Sequence, residues 1–235
     1  MRTKREWSER ARRVARWFEV DVSKMNYDLA QVDSPAVNLS AGKIILLSGG
    51  SGGGKSTLLR RIRRRCGRGV AWIDLGRIVL PRASVIDVMV DAMGGGDDEA
   101  SIVAGLEALS RVGLGEVWSY LRWPGELSEG QRWRLRLAMG IACGNKPYSQ
   151  LPRRFTRASK LTVLAADEFA APLDRVTALV VARALRKAVS AHPNLCAIVA
   201  TTRDDLVHAL SPDLHVQCDF GNDEILNTEV GYEKR

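Results

Sequence analysis

Four apolar residues, Ile44-Ile45-Leu46-Leu47, run directly into Gly49-Gly50-Ser51-Gly52-Gly53-Gly54-Lys55-Ser56, with Thr57 and a helical pattern from Leu58 to Ile62 behind. Strand, glycine loop and helix in this order form the phosphate-binding unit of α/β domains. The glycines let backbone N–H groups converge on phosphate oxygens with no side chains in the way. The helix beginning near Lys55 turns its positive end toward the same anion. In such a loop Lys55 reaches the β- and γ-phosphates, and the Ser56 hydroxyl ligates Mg²⁺. A flexible glycine linker is the bland alternative, and the flanking strand and helix disfavour it.

The 235 residues, 46% hydrophobic and 26% charged, suit one large α/β domain or a domain with a subdomain. No apolar run reaches the roughly 18 residues of a membrane span. Nor does Met1 to Glu6 lead into a signal-peptide core, so a cytoplasmic chain with no membrane insertion of its own is expected. Cys66, Cys143, Cys196 and Cys218 form no C-x-x-C pair and read as buried reduced thiols; His192, His208 and His215 have no ligand spacing. The net charge is +8. Its cations cluster at Lys4 to Arg16, at Arg60 to Arg65 with Arg68, and at Lys146, Arg153, Arg154, Arg157 and Lys160. Such clusters are either a footprint for nucleic acid or another polyanion, or a solvated basic surface with cations at a helix C-terminus.

Along the chain, residues 5 to 18 read as an amphipathic helix, with Trp7, Ala11, Val14, Ala15 and Phe18 on one face. Val37 to Leu39 reads as a short strand, and Val70 to Ile73 as another. A helical block from Ser84 to Ala142 is broken at Gly94 to Gly96 and at Pro124-Gly125. Leu161 to Ala166 and Leu195 to Ala200 are apolar runs of buried-strand length, with a helix over Thr177 to Val189 between them. Alternation at both ends around a helical block argues a parallel α/β core carrying an inserted helical lobe.

The run at 161–166 ends in Asp167-Glu168. At the C-terminal edge of a phosphate-loop sheet, Asp167 holds Mg²⁺ and Glu168 acts as the general base that activates water beside the γ-phosphate. Taken alone, the pair reads equally as a helix cap. Leu127-Ser128-Glu129-Gly130-Gln131 opens a further helix. Ser128 and Gly130 there form either an oxyanion grip or, with Gln131, a Ser-x-x-Gln capping box. Local physics leaves both open.

The order of these motifs resembles the nucleotide-binding domains of the ABC ATPase superfamily, including its small soluble stand-alone members from bacteria and phages. The family signature is Leu-Ser-Gly-Gly-Gln, from which only Glu129 departs, and Leu173-Asp174 after Phe169-Ala170-Ala171-Pro172 look like its D-loop. The resemblance covers roughly residues 25 to 210. It implies a P-loop NTPase core with an inserted helical subdomain, ATP with Mg²⁺, and two copies joined head to tail. Each nucleotide then lies between the phosphate loop of one copy and Ser128, Gly130 and Gln131 of the other. The resulting division is 1–20, a basic amphipathic helix; 21–81, the ATP-binding core; 82–145, the helical lobe; and 146–235, the return to the core.

Departures mark the same comparison. The family's Q-loop glutamine is missing, and Asp74 is the only polar residue near its place. Its switch histidine is replaced by Thr202 or Arg203, which puts the hydrolysis rate in question. Tyr27 is the nearest aromatic for stacking on adenine, and 144–160 is a basic insertion. Three functions follow as expectations. The first is an ATPase acting on DNA, RNA or a nucleic-acid-bound partner. The second is the ATPase subunit of a membrane transporter. The third is an ATP-dependent dimerisation switch with little hydrolysis.

Overall fold

The computed structural model describes residues 7–20, 37–67, 69–143, 161–219 and 222–226, the last as backbone. The chain divides into two compact units, Met1–Pro35 and Ala36–Arg235. In the first, helix α1 (Glu9–Trp17) is capped by Ser8, whose Oγ accepts from Ala11 N–H, and closed by an Arg16–Glu9 ion pair. Tyr27 lies outside the described residues, as does the 144–160 insertion.

The second unit is built on a sheet of order β2-β3-β4-β1-β5-β6. Its strands are β1 (Ile44–Ser48), β2 (Val70–Asp74), β3 (Leu161–Ala166), β4 (Leu195–Ala200), β5 (Leu214–Asp219) and β6 (Asn222–Leu226). All pair in parallel except β5 with β6. Strand β1 therefore lies between β4 and β5, and β4 separates it from β3. The C-terminal ends of the parallel strands share one edge, which gathers the glycine loop, Asp167-Glu168 and Thr201 to Arg203.

The apolar run of β1 is buried throughout, as a strand covered on both faces must be. Its period-2 alternation splits the core. Ile44 and Leu46 pack toward the helical lobe and α7 (Arg175–Ala191). Ile45 and Leu47 pack toward Leu58, Leu59 and Ile62 of α2 (Lys55–Arg65). The lobe is α3 (Val85–Met93), α4 (Glu99–Arg111), α5 (Val117–Leu121) and α6 (Glu129–Cys143). Its breaks fall where the glycines and proline predict: Gly94 closes α3 at φ 67°, and Pro124 opens a short 3-10 turn. A last short helix, α8, is Val207–Leu210.

Two expectations are corrected. Val37 to Leu39 is not a strand; Val37 and Leu39 pack on the α2 side of the core without joining the sheet. The β5–β6 pair extends the sheet past the last strand expected from the sequence, because β5 mixes His215, Gln217 and Asp219 into its apolar pattern. The four cysteines are free, three of them buried, and burial pushes the Cys143 thiol up to about 12 and that of Cys196 to about 11. Among the described residues no helix is long and apolar enough to cross a membrane.

Candidate nucleotide site

The loop after β1 wraps the start of α2. Gly49, Gly52 and Gly54 adopt φ of 122°, 84° and 102°, where L side chains are strained. Lys55 folds over the loop, its Nζ donating to Gly49 O at 2.7 Å and Gly50 O at 2.6 Å. The ammonium thus sits inside the ring of backbone it is expected to share with phosphate. Gly50, Ser51 and Gly52 are exposed and Ser56 and Thr57 half-buried; Thr57 N–H donates to Gly54 O. Gly49 and Gly53 have a second reason to be glycine. A Cβ on either would lie 2.2 or 2.6 Å from the backbone carbonyl of Cys218 in β5. Strand β5 therefore braces the loop from below, and a buried hydrogen bond of 2.7 Å joins His215 to Ser48 at its root. Burial holds the His215 imidazole below its usual range, with Asp204 pulling the other way. The sequence reading saw no role for His215, since its partner lies 167 residues away.

Asp167 and Glu168 stand exposed at the end of β3, on the edge that carries the loop. Glu168 has φ 53°, a left-handed conformation unusual for glutamate. The expected Mg²⁺ donors are one hydroxyl, Ser56, and one carboxylate, Asp167. Such a set fits an ion that keeps most of its octahedral shell as water and phosphate. Among the described residues no group of three or more His, Cys, Asp or Glu is placed to hold a metal by itself.

At the signature the structure forms the capping box. Ser128 Oγ accepts from Gln131 N–H at 3.2 Å, and Gln131 Oε1 accepts from Ser128 N–H at 2.9 Å. Gly130 packs beside Pro172 and Leu173, so the signature helix meets the D-loop of its own chain. Asp174 N-caps α7 by accepting from Thr177 N–H at 2.9 Å, and Thr177 hydrogen bonding holds its carboxyl below the usual range.

Thr202 is exposed after β4. Arg203, expected as a nucleotide contact, has its guanidinium bonded to Asp205 and to the carbonyls of Leu173 and Ala170. Thr201, which sequence reasoning passed over, is the buried anchor of this loop. Its N–H donates to Leu47 O in β1 and its hydroxyl to Phe169 O, joining β1 to the turn after β3. Asp74, at the Q-loop place, caps a 3-10 turn through Gly76 N–H and pairs with Arg77.

Much of the positive charge is used inside the fold. Arg60 donates to Ser56 O, and Arg63 lies 4.0 Å from Asp74. On α6, Arg132 bonds Leu127 O, Arg134 bonds Gly113 O and Arg136 bonds Ile78 O. These guanidiniums bond exposed and part-buried carbonyls of their own fold.

A phosphate loop and an acidic strand end at one edge of a parallel sheet define a P-loop nucleotide-binding domain. No family model matches the chain. It is 34% identical over 116 residues to the aliphatic sulfonates import ATP-binding protein SsuB 2 of Nocardia farcinica, covering 45% of this chain and 46% of that one. It is 32% identical over 159 residues to SsuB 1 of Rhizobium johnstonii, covering 60% and 51%. The chain thus spans about half the length of the curated relatives it matches. A dimeric ATP-binding cassette in a post-hydrolysis state, bound to ADP and Pi, superposes at TM-score 0.58 with 19% identity, over 81% of this chain and 88% of that one. The cbiO1 structure from Clostridium perfringens, part of an ABC transporter complex, superposes at 0.53 with 20% identity, over 80% and 78%. The fold is thus that of the ATP-binding cassettes, and part of the sequence is similar to the ATP-binding proteins named above.

Proposed function

We propose that the chain binds MgATP at 49–57 and hydrolyses it as the ATP-binding subunit of a membrane importer. In this reading Lys55 exchanges the Gly49 and Gly50 carbonyls for phosphate oxygens, and Ser56 and Asp167 hold Mg²⁺, which neutralises charge on the β- and γ-phosphates. Glu168 takes the proton of the attacking water. Ser128, Gly130 and Gln131 of a second copy close the site from the other side.

The observation that carries the transporter reading is an apolar surface on the helical lobe. Val117, Trp118 and Leu121 of α5 are 65%, 76% and 62% exposed, with Trp123 at 53%. Pro124-Gly125, next to Trp123 in sequence, line a groove of about 440 Å³ with Gly76 to Leu80, Arg132 and Arg136. Exposed apolar side chains clustered beside a groove mark a partner surface rather than a solvated face. A membrane-spanning subunit is the partner that suits both this chemistry and the import function of the relatives. Nucleic acid, expected from the net charge, gains no support from the relatives, and several arginines of its two helical clusters are bonded within the fold.

Two measurements test the reading. Wild-type ATPase turnover per subunit rises with protein concentration, and Glu168→Gln lowers it by about 10²–10⁴-fold while retaining ATP and forming a stable dimer. Equal turnover in wild type and variant removes Glu168 from the chemistry. In membranes of the native host the wild-type chain co-sediments with an integral membrane partner, and Trp118→Asp releases it without loss of ATP binding. A chain that stays soluble and shifts DNA with a steep salt dependence would restore the nucleic-acid reading.

A further inference from the structure

The turn after β3 holds two non-glycine residues in the left-handed region, Glu168 at φ 53° and Ala170 at φ 58°. Each such residue is strained and persists only where its surroundings over-determine it. Part of that constraint lies at Phe169, between the two. Its N–H donates to Ala200 O at 2.7 Å, its carbonyl accepts from Thr201 Oγ1 at 3.3 Å, and its buried ring meets Trp133 edge-on at 5.2 Å.

The rest of the turn is held by its own backbone bonds, Ala171 N–H to Glu168 O and Leu173 N–H to Ala170 O, and by one side chain from the loop after β4. Arg203 Nη1 donates to Leu173 O at 2.9 Å and to Ala170 O at 3.5 Å. Its other nitrogens grip Asp205 as a fork, Nε to Oδ1 at 3.2 Å and Nη2 to Oδ2 at 3.1 Å. Arg175, the first residue of α7, stands 3.6 Å from the same carboxylate. Only a guanidinium has donors enough, in a fixed plane, to hold a carboxylate bidentately and reach two carbonyls as well; an ammonium is a point charge.

We propose that Arg203 is a positioning residue, a latch that fixes residues 170–174 to the loop after β4 and so keeps Glu168, at the head of the turn, in its strained working geometry. The proposal rests on the reading that Glu168 activates the attacking water. Arg203 does not touch the nucleotide: its charge is spent on Asp205, and its effect on hydrolysis passes through the turn. The Arg203 hydrogen bonds come first among the causes that hold the Asp205 carboxyl below the usual range, so the pair stays ionised through the neutral pH range.

The full chain is compared with Arg203→Ala, Arg203→Lys and Asp205→Asn. Binding of a fluorescent ATP analogue, ATPase kcat and KM, and hydrogen–deuterium exchange over residues 168–174 are measured. The latch predicts analogue affinity and KM within about twofold of wild type and kcat lower by about 10- to 100-fold, the scale of a misplaced catalytic group. It also predicts faster exchange at Ala171 and Leu173. Lysine does not rescue, and Asp205→Asn, which loosens the fork but keeps its shape, gives a smaller effect in the same direction. A rise in KM with kcat unchanged would show Arg203 contacting the nucleotide and overturn the proposal, as would unaltered exchange over 168–174. If Arg203→Ala does not fold, the other two variants decide. A wild type that binds the analogue but shows no turnover defeats the Glu168 reading instead, and the exchange data still judge the latch.

Discussion

The loop after β1 and the turn after β3 lie on the same edge of the sheet, and both need left-handed backbone. The loop meets that need with Gly49, Gly52 and Gly54, the turn with Glu168 and Ala170. Glycine adopts such angles at no steric cost, so the loop's shape is available to its own sequence. Glutamate and alanine adopt them only under restraint. The turn's shape is therefore imposed from outside, by Ala200, Thr201, Trp133 and Arg203. One half of the site is built from composition and the other half from contacts.

Moving glycine between the two segments tests this contrast. Gly49→Ala adds both a strained φ and a Cβ placed 2.2 Å from the backbone carbonyl of Cys218. A loss of roughly 3 kcal/mol or more is expected in urea unfolding. Wild-type stability in that variant would mean that β5 does not brace the loop. Glu168→Gly runs the other way. The side chain is exposed, so its removal sacrifices little packing and relieves the left-handed strain. Stability rises by about 0.5–1 kcal/mol, the left-handed penalty less glycine's entropy, while turnover is lost. A destabilised Glu168→Gly would show that the turn is not strained.

The smallest effect concerns the brace itself. Burial depresses the His215 pKa, so the unfolded chain takes up a proton that the folded chain resists. Stability is complete above the unfolded value near 6.5 and declines as pH falls from there toward the folded value. His215→Gln keeps a hydrogen-bonding partner for Ser48 and removes the titration, so its unfolding midpoint varies less between pH 7 and 5. Some decline remains, because burial, with Arg111 close by, depresses His192 in the same direction. An unchanged pH slope would place the imidazole in water.

Legibility in the sequence follows the same division. Lys55 and Ser56 were readable because the loop, its strand and its helix are contiguous. Asp167-Glu168 was readable because a buried strand announces its own end. At Ser128 both the capping box and the oxyanion grip remained possible, and the structure, in forming the box, leaves the second role to whatever faces the helix. Arg203 was placed at the right loop, but its bonds to Asp205, Ala170 and Leu173 were not foreseen. Nothing local to Thr202-Arg203-Asp204-Asp205 says that a carbonyl 30 residues earlier, Leu173 O, will meet the guanidinium.

The sequence alone determined the strand, glycine loop and helix of the phosphate-loop unit, the parallel α/β core with its helical insertion, and the resemblance to ABC ATPases, because each is carried by adjacent residues whose spacing has physical meaning. Only the tertiary structure decided that β5 supports the loop through Cys218 and His215, that Thr201 joins β1 to the turn after β3, and that Arg203 bonds the turn bearing Glu168. Those contacts join residues tens to hundreds of positions apart. A one-dimensional pattern records which groups need partners, and only packing decides which partners they meet.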